Sequence, residues 1–164
     1  MNADRRMPND GNGAEVRQFL TFVLNEEEFA IDLLQVQEIR EMSKITPIPN
    51  SPPSVRGVMN LRGSMIPVVD LRTRFGMAGI AADSKTVIIV VNVDTLVAGF
   101  IVDAVSDVMT LPMADVEPAP EMAVNGDMAH IQGLAKVEQR LITLLNIYDL
   151  VTRQSLSASE TTAA

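Results

Sequence analysis

The feature that most constrains this chain is that it carries the same strand pattern twice. Lys85-Thr-Val-Ile-Ile-Val-Val-Asn92 answers Gln18-Phe-Leu-Thr-Phe-Val-Leu-Asn25, so Asn92 matches Asn25. Gly99–Val108 answers Ala30–Ile39, which sets Val105 against Val36, Asp107 against Glu38 and Val108 against Ile39. Pro118 and Pro120 answer Pro47 and Pro49, and Gly133 answers Gly57. Ile142-Thr-Leu-Leu-Asn-Ile147 answers Ile66-Pro-Val-Val-Asp-Leu71. The spacing drifts from 67 residues (Asn25 to Asn92) to 76 (Ile66 to Ile142), as loop insertions would make it. One match would mean little, because Val-rich strands align easily. Five in the same order imply two copies of one five-stranded unit.

Within the first copy, Gln18–Asn25 is rich in aromatic and β-branched residues, as strands are. Glu26-Glu27 is expected to turn, with a second strand over Glu28–Asp32, a short turn at Leu33–Gln35 and a third strand over Val36–Met42. Apolar positions 31, 33, 34, 36 and 39 fit a strand and a helix about equally. Four prolines over 47–53 mark an irregular connection. Strands Val58–Leu61 and Met65–Val69 follow, joined by a turn at Arg62-Gly63-Ser64, where Gly63 supplies a positive φ. Asp70 is placed to cap a helix over Leu71–Phe75 that Gly76 ends. Asn146 is placed likewise before a helix over about Ile147–Arg153.

Five short strands with Gly/Pro turns suggest a small barrel. A unit of about 65 residues is marginal alone, so two are expected to share an apolar seam. The expected division is a lead-in over 1–14 and a folded region over 15–152. Its barrels would cover about 15–82 and 83–152, followed by a tail over 153–164. Both ends are polar and low in apolar content, and are expected to be disordered.

The remaining composition excludes more than it proposes. The chain has no Cys, so disulfides, thiolate catalysis and Cys-based metal sites are out. A net charge of −8 argues against a nucleic-acid or anionic-membrane partner. The start has no apolar segment of the secretory kind, and the apolar runs are too short to span a bilayer. A soluble cytoplasmic protein is therefore expected, with no cofactor and no metal. His130 is the one histidine, in the polar loop Asn125–His130, and with no second imidazole and no Cys to join it reads as a solvated loop residue. The acids Glu26, Glu27, Glu28, Asp32, Glu38 and Glu41 could do proton chemistry, but the first three read as solvated turn residues. No phosphate loop or nucleophile elbow is present.

What remains is surface. Arg62 is a permanent charge with five donors at the tip of an apolar hairpin. The position matching it in the second copy is Glu138. A fold that needs Arg there should show it twice, so Arg62 reads either as a docking charge or as one half of a weak surface salt bridge. The ten methionines divide the same way, between an adaptable binding surface and a core short of aromatics.

Phe29–Arg40, Arg56-Gly-Val-Met-Asn-Leu-Arg-Gly-Ser-Met-Ile-Pro-Val-Val-Asp-Leu-Arg72, Val102–Val108 and Pro118-Ala-Pro120 together resemble the CheW-like domain of chemotaxis coupling proteins. The resemblance runs from about Val16 to Val151. It implies an all-β fold of two SH3-like five-stranded β-barrels packed together, with short helices, and no catalysis. It implies an adaptor that couples the helical-hairpin tips of chemoreceptors to the histidine kinase CheA, whose regulatory domain is itself CheW-like. Other copies of the adaptor would join in rings at membrane-associated arrays. An array controlling surface motility or a second messenger is the alternative. Carried over, the receptor-facing positions are Val36, Glu38, Ile39, Arg62, Val102, Val105 and Val108. The kinase-facing ones are Pro49, Gly57, Val116 and Met122. The Met-rich Glu121–Gln132 region departs from the pattern and receives no contacts.

Overall fold

The computed structural model describes residues 15–78, 83–118 and 131–151. Among these, eleven strands form two sheets. In chain order they are β1 (Val16–Leu24), β2 (Glu27–Asp32), β3 (Val36–Glu41), β4 (Val55–Leu61), β5 (Ser64–Asp70), β6 (Val87–Val93), β7 (Leu96–Val102), β8 (Ala104–Pro112), β9 (Val116–Glu117), β10 (Ile131–Val137) and β11 (Arg140–Leu145). One sheet runs β3-β6-β7-β5-β4 and the other β8-β1-β2-β11-β10-β9. These are the two SH3-like halves of an all-β fold.

The repeat is real at the level of register. In the first copy the ladder slips between Val55 and Gly57, opposite Val69 and Val68. In the second it slips between Ile131 and Gly133, opposite Leu145 and Leu144. Both bulges therefore fall at matched positions. Both copies also end in the same parallel pairing, Val68 with Gly99 and Leu144 with Ala30.

The sheets do not follow the repeats, which corrects the expected barrels over 15–82 and 83–152. β6 and β7, from the second copy, complete the sheet of β3, β4 and β5. The β1–β2 hairpin sits in the middle of the sheet built otherwise from β8–β11. The copies have exchanged hairpins. One unit is the continuous stretch 36–102, and the other joins 16–32 to 104 and beyond. The chain crosses between them through a 3-10 turn, Leu33–Gln35, and through the single residue Asp103. Each copy can lend its first hairpin to the other because the two are nearly the same shape.

The exchange explains the core. The largest cluster is the seam, where Leu20, Phe22 and Ile31 meet Ile89, Val91, Phe100 and Leu145. Smaller cores fill each unit: Met59, Ile66, Ile88 and Ile101 in one, Phe19, Leu111, Ala135 and Ile142 in the other. Phe22, Phe29 and Phe75 stack in a row at centroid separations of 6.0 and 5.7 Å. Among the described residues the methionines mostly serve the core: Met59 is buried, Met42, Met77, Met109 and Met113 pack partly buried against the clusters, and only Met65 is largely exposed, at 56%.

Local expectations hold with small shifts. The first turn is at Asn25-Glu26, both at positive φ, one residue earlier than expected. Arg62-Gly63 form the hairpin loop between paired Leu61 and Ser64, also with both at positive φ. That is the geometry whose twist suits a two-residue hairpin. Asp70, 1% exposed, accepts from the backbone N–H of Arg72 and Thr73 and caps the helix Leu71–Arg74, α1. Asn146 accepts from Asp149 N at 3.1 Å before a helical turn over 147–151.

Candidate functional site

Sheets have edges, and five of the expected receptor-facing residues, Val36, Glu38, Ile39, Val105 and Val108, lie on them. β3 is an outer strand of one sheet and β8 of the other. In an antiparallel pair, residues directly opposite point to the same face. Val36 lies opposite Val91 and Ile39 opposite Ile89, both seam residues. Val105 lies opposite Phe22 and Val108 opposite Leu20, which are also seam residues. So all four side chains face the seam from its two borders. Val36 and Val105 are half-buried against it, while Ile39 and Val108 stand out at 45% and 47% exposure. Apolar residues at matched positions of two edge strands, half-covering one apolar core, make a seat for an apolar partner.

Arg62 and Glu38 supply fixed charge beside that seat. The guanidinium donates from Nη1 to Glu38 Oε2 at 2.6 Å and from Nη2 to Oε1 at 3.0 Å, a two-pronged pair. Glu38 is on one outer strand of its sheet and Arg62 on the hairpin that ends in the other, β4. The pair therefore draws the two edges together, as does the Thr46–Val58 bridge further along. The hydrogen bonds from Arg62, aided by its charge and by Arg40 and Gln37, outweigh the partial burial of Glu38. They draw its carboxyl from 4.5 down to about 2. A depressed carboxylate value stabilises the fold above the ordinary value, and that contribution is lost as pH falls from 4.5 through about 2. In an NMR titration, Glu38 should have its midpoint near 2 in the native chain, and Arg62→Ala should return it towards 4.5. A midpoint that Arg62→Ala leaves in place would mean the pair does not persist in solution.

The reading that Arg62 has no counterpart is corrected here. Glu138 does match it in backbone, at φ 58 against 52. The charge has moved two residues on. Arg140 grips Glu28 through Nε and Nη2 at 3.0 and 2.8 Å and reaches Asp107, the match of Glu38, at 3.6 Å. Each copy thus has an arginine on its last hairpin facing the acid of its third strand. Glu28, expected to be a solvated turn acid, is part of this grip. Alignment by position misses Arg140, and the signal that could have found it was the second acid, Asp107, needing a cation. What distinguishes Arg62 is exposure, 65% against 34% for Arg140.

Other expected positions fall elsewhere. Val102 is fully buried in the seam, opposite Val87, so it faces no partner. An apolar strand end looks the same in sequence whether it points at the seam or at solvent. Gly57 is buried too, for a backbone reason. A Cβ there would lie 2.0 Å from the Thr46 carbonyl oxygen. Its role is to let the chain cross and close the sheet, so it offers no contact surface. Gly133 does the same against Glu117 O, at 2.6 Å. Pro49 is exposed in the 47–53 connection, and Val116 is half-buried on β9, away from the seam. Met122 and His130 lie outside the described residues. Among the described residues no cluster of His, Asp or Glu could hold a metal, and no helix is long and apolar enough to cross a membrane.

Comparison with known proteins agrees with this architecture. A family model described as the CheW-like domain matches residues 18–155. The chain is 40% identical to the chemotaxis protein CheW of Klebsiella aerogenes over 147 residues, 90% of this chain and 89% of that one. It is 36% identical to the chemotaxis protein CheW of Rhizobium meliloti, over 89% of this chain and 91% of that one. The crystal structure of the scaffolding protein TtCheW from Thermoanaerobacter tengcongensis superposes with a TM-score of 0.74 at 35% identity, covering 80% of this chain and 89% of that one.

Proposed function

The chain belongs to the CheW-like domain family of non-catalytic chemotaxis coupling adaptors, and on that premise we propose that its seam-bordering edges receive the helical tip of a chemoreceptor. The observation that carries this reading is the matched pair Ile39 and Val108, exposed on two edge strands and turned towards one apolar core. A helical hairpin offers a stripe of apolar side chains flanked by charge. Ile39 and Val108 would be its anchors and Val36 and Val105 the floor. The Arg62–Glu38 pair would fix its register through charge at one rim.

The second partner is the regulatory domain of the histidine kinase CheA. Pro49 and Val116 lie off the seam, one on each unit, so a kinase domain seated there would leave the receptor seat free. An adaptor with both sites bridges sensing to phosphorylation without chemistry of its own. Further copies of the adaptor would extend the contact into rings, with the protein recruited from the cytoplasm to membrane-associated receptor arrays.

Pull-downs at physiological salt should capture both a receptor signalling fragment and the kinase regulatory domain, and capture of neither would sink the reading. Arg62→Glu should lower receptor-fragment affinity by about tenfold, the cost of reversing the charge at the rim and setting it against Glu38. Its melting temperature should stay close to that of the native chain, because an exposed ion pair adds little to folding. A large fall in melting temperature with unchanged binding would make Arg62 structural instead.

A further inference from the structure

The receptor seat is built from two units, so its shape depends on how those units are held relative to one another. The seam that joins them is aliphatic and aromatic, and apolar burial is strong but not directional. Direction has to come from polar contacts across the seam. Among the described residues one carboxylate stands out. Asp103 is the single residue between β7 of one unit and β8 of the other. Its Oδ1 accepts from Arg72 Nε at 2.9 Å, and its Oδ2 accepts from Arg72 Nη2. Oδ2 also accepts from the backbone N–H of Asn25 at 2.9 Å, and the Asp103 N–H donates to Val23 O at 3.0 Å. Arg72 is in α1, attached to the first unit, whereas Val23 and Asn25 belong to the first hairpin of the second. One side chain ties the crossing point to both bodies.

We propose that the Asp103–Arg72 pair is a positioning device that sets the relative orientation of the two units, and with it the width of the receptor seat. Three observations bear on it. The pair is two-pronged, so it fixes angle as well as distance. Both side chains are largely shielded, at 20% and 24% exposure, and the hydrogen bonds to Asp103, aided by its charge, raise the proton affinity of Arg72. And Asp103 immediately precedes β8, the strand that carries Val105, two residues past Asp103, and Val108, five past it. The other crossing, Leu33–Gln35, has its own cap in Asp32, which accepts from Leu34 N at 2.9 Å, but makes no comparable two-body tie. The link from orientation to binding rests on the receptor reading above, whereas the orientation itself does not.

The test uses the absence of Cys from the chain. Exposed Glu41 on β3 and Thr110 on β8 are replaced by Cys and spin-labelled, and the distance between labels is read by pulsed dipolar EPR. The native background should give one narrow distribution. Asp103→Asn, which keeps the size and loses the charge, should broaden or shift it while circular dichroism stays native. Arg72→Lys, which keeps charge and loses the fork, should do so to a smaller degree. Receptor-fragment affinity should fall on the order of tenfold with Asp103→Asn, although neither Asp103 nor Arg72 is on the seat. An unchanged narrow distribution in a folded Asp103→Asn protein would overturn the proposal. A broadened distribution with native receptor affinity would uphold the positioning role and instead overturn the placement of the receptor at the seam.

Discussion

Separated at residue 82, the two sequence repeats should each fail to fold. Chains 15–82 and 83–152 should give the circular dichroism and poorly dispersed amide spectra of unfolded protein, and native spectra should return on mixing. The reason is the exchange of hairpins. In the first half only β1 with β2 and β4 with β5 keep a ladder partner. β3 loses β6, β5 loses β7, and the β1–β2 hairpin loses both β8 and β11. Isolated two-stranded hairpins are marginal in water. The seam is divided as well, with Phe22 and Ile31 in one half and Ile89 and Phe100 in the other. The loss is the whole stability of the domain, about 5–15 kcal/mol for a protein of this kind. A half that folds alone as a monomer would mean that its own hairpin can take the place of the one it borrows in the intact chain.

Among the described glycines, Gly57→Ala should be the most damaging substitution. Gly57 is at φ +145, where L side chains are strained, and the new Cβ would meet Thr46 O at 2.0 Å, its carbonyl carbon at 2.6 Å and Pro47 Cα at 2.9 Å. These are backbone atoms and cannot swing aside. Thr46 and Val58 exchange two hydrogen bonds there, at 2.8 and 2.9 Å, and these close the sheet between its outer strands. Strain of about 1–3 kcal/mol and overpacking of similar size give roughly 2–6 kcal/mol in urea unfolding. The matched Gly133 has no positive φ but meets Glu117 O at 2.6 Å, so Gly133→Ala should show only the packing part, about 1–3 kcal/mol. If Gly57→Ala proved no worse than Gly133→Ala, backbone strain at Gly57 would be discounted. Loss of kinase or receptor binding in Gly57→Ala would follow from this damage, since the glycine itself is buried.

Much of this molecule was legible in its residues, and the limits have physical causes. The duplication was visible because the bulge glycines, the helix caps Asp70 and Asn146 and the valine runs recur in order. The exchange of hairpins was not, because a strand's sequence records how deeply it is buried and not which strand lies beside it. β1 and β6 are alike enough that either could fill either place. The same blindness moved Val102 to the surface, although its neighbours Val105 and Val108 do reach the seam's borders. Charge was legible by type and not by geometry. Arg62 and Glu38 were singled out and do meet, whereas Arg140 was overlooked because it reaches Asp107 from a different point on its hairpin.

The central place of the β1–β2 hairpin also governs how the chain is made. Among the described elements the hairpin is synthesised first, and its neighbours β8 and β11 come late. At roughly 5–20 residues per second, the stretch from Asp32 to Leu145 takes about 6–23 s to translate. Until β8 emerges Phe19, Leu20 and Phe22 have no sheet to enter, whereas residues 36–102 hold every strand of their own sheet as soon as Val102 has been made. A nascent hairpin with two open edges is prone to pair with another chain. The run Glu26-Glu27-Glu28 at its tip meets that hazard with like charge, and Glu28 takes up its second duty, holding Arg140, only once β11 has been made.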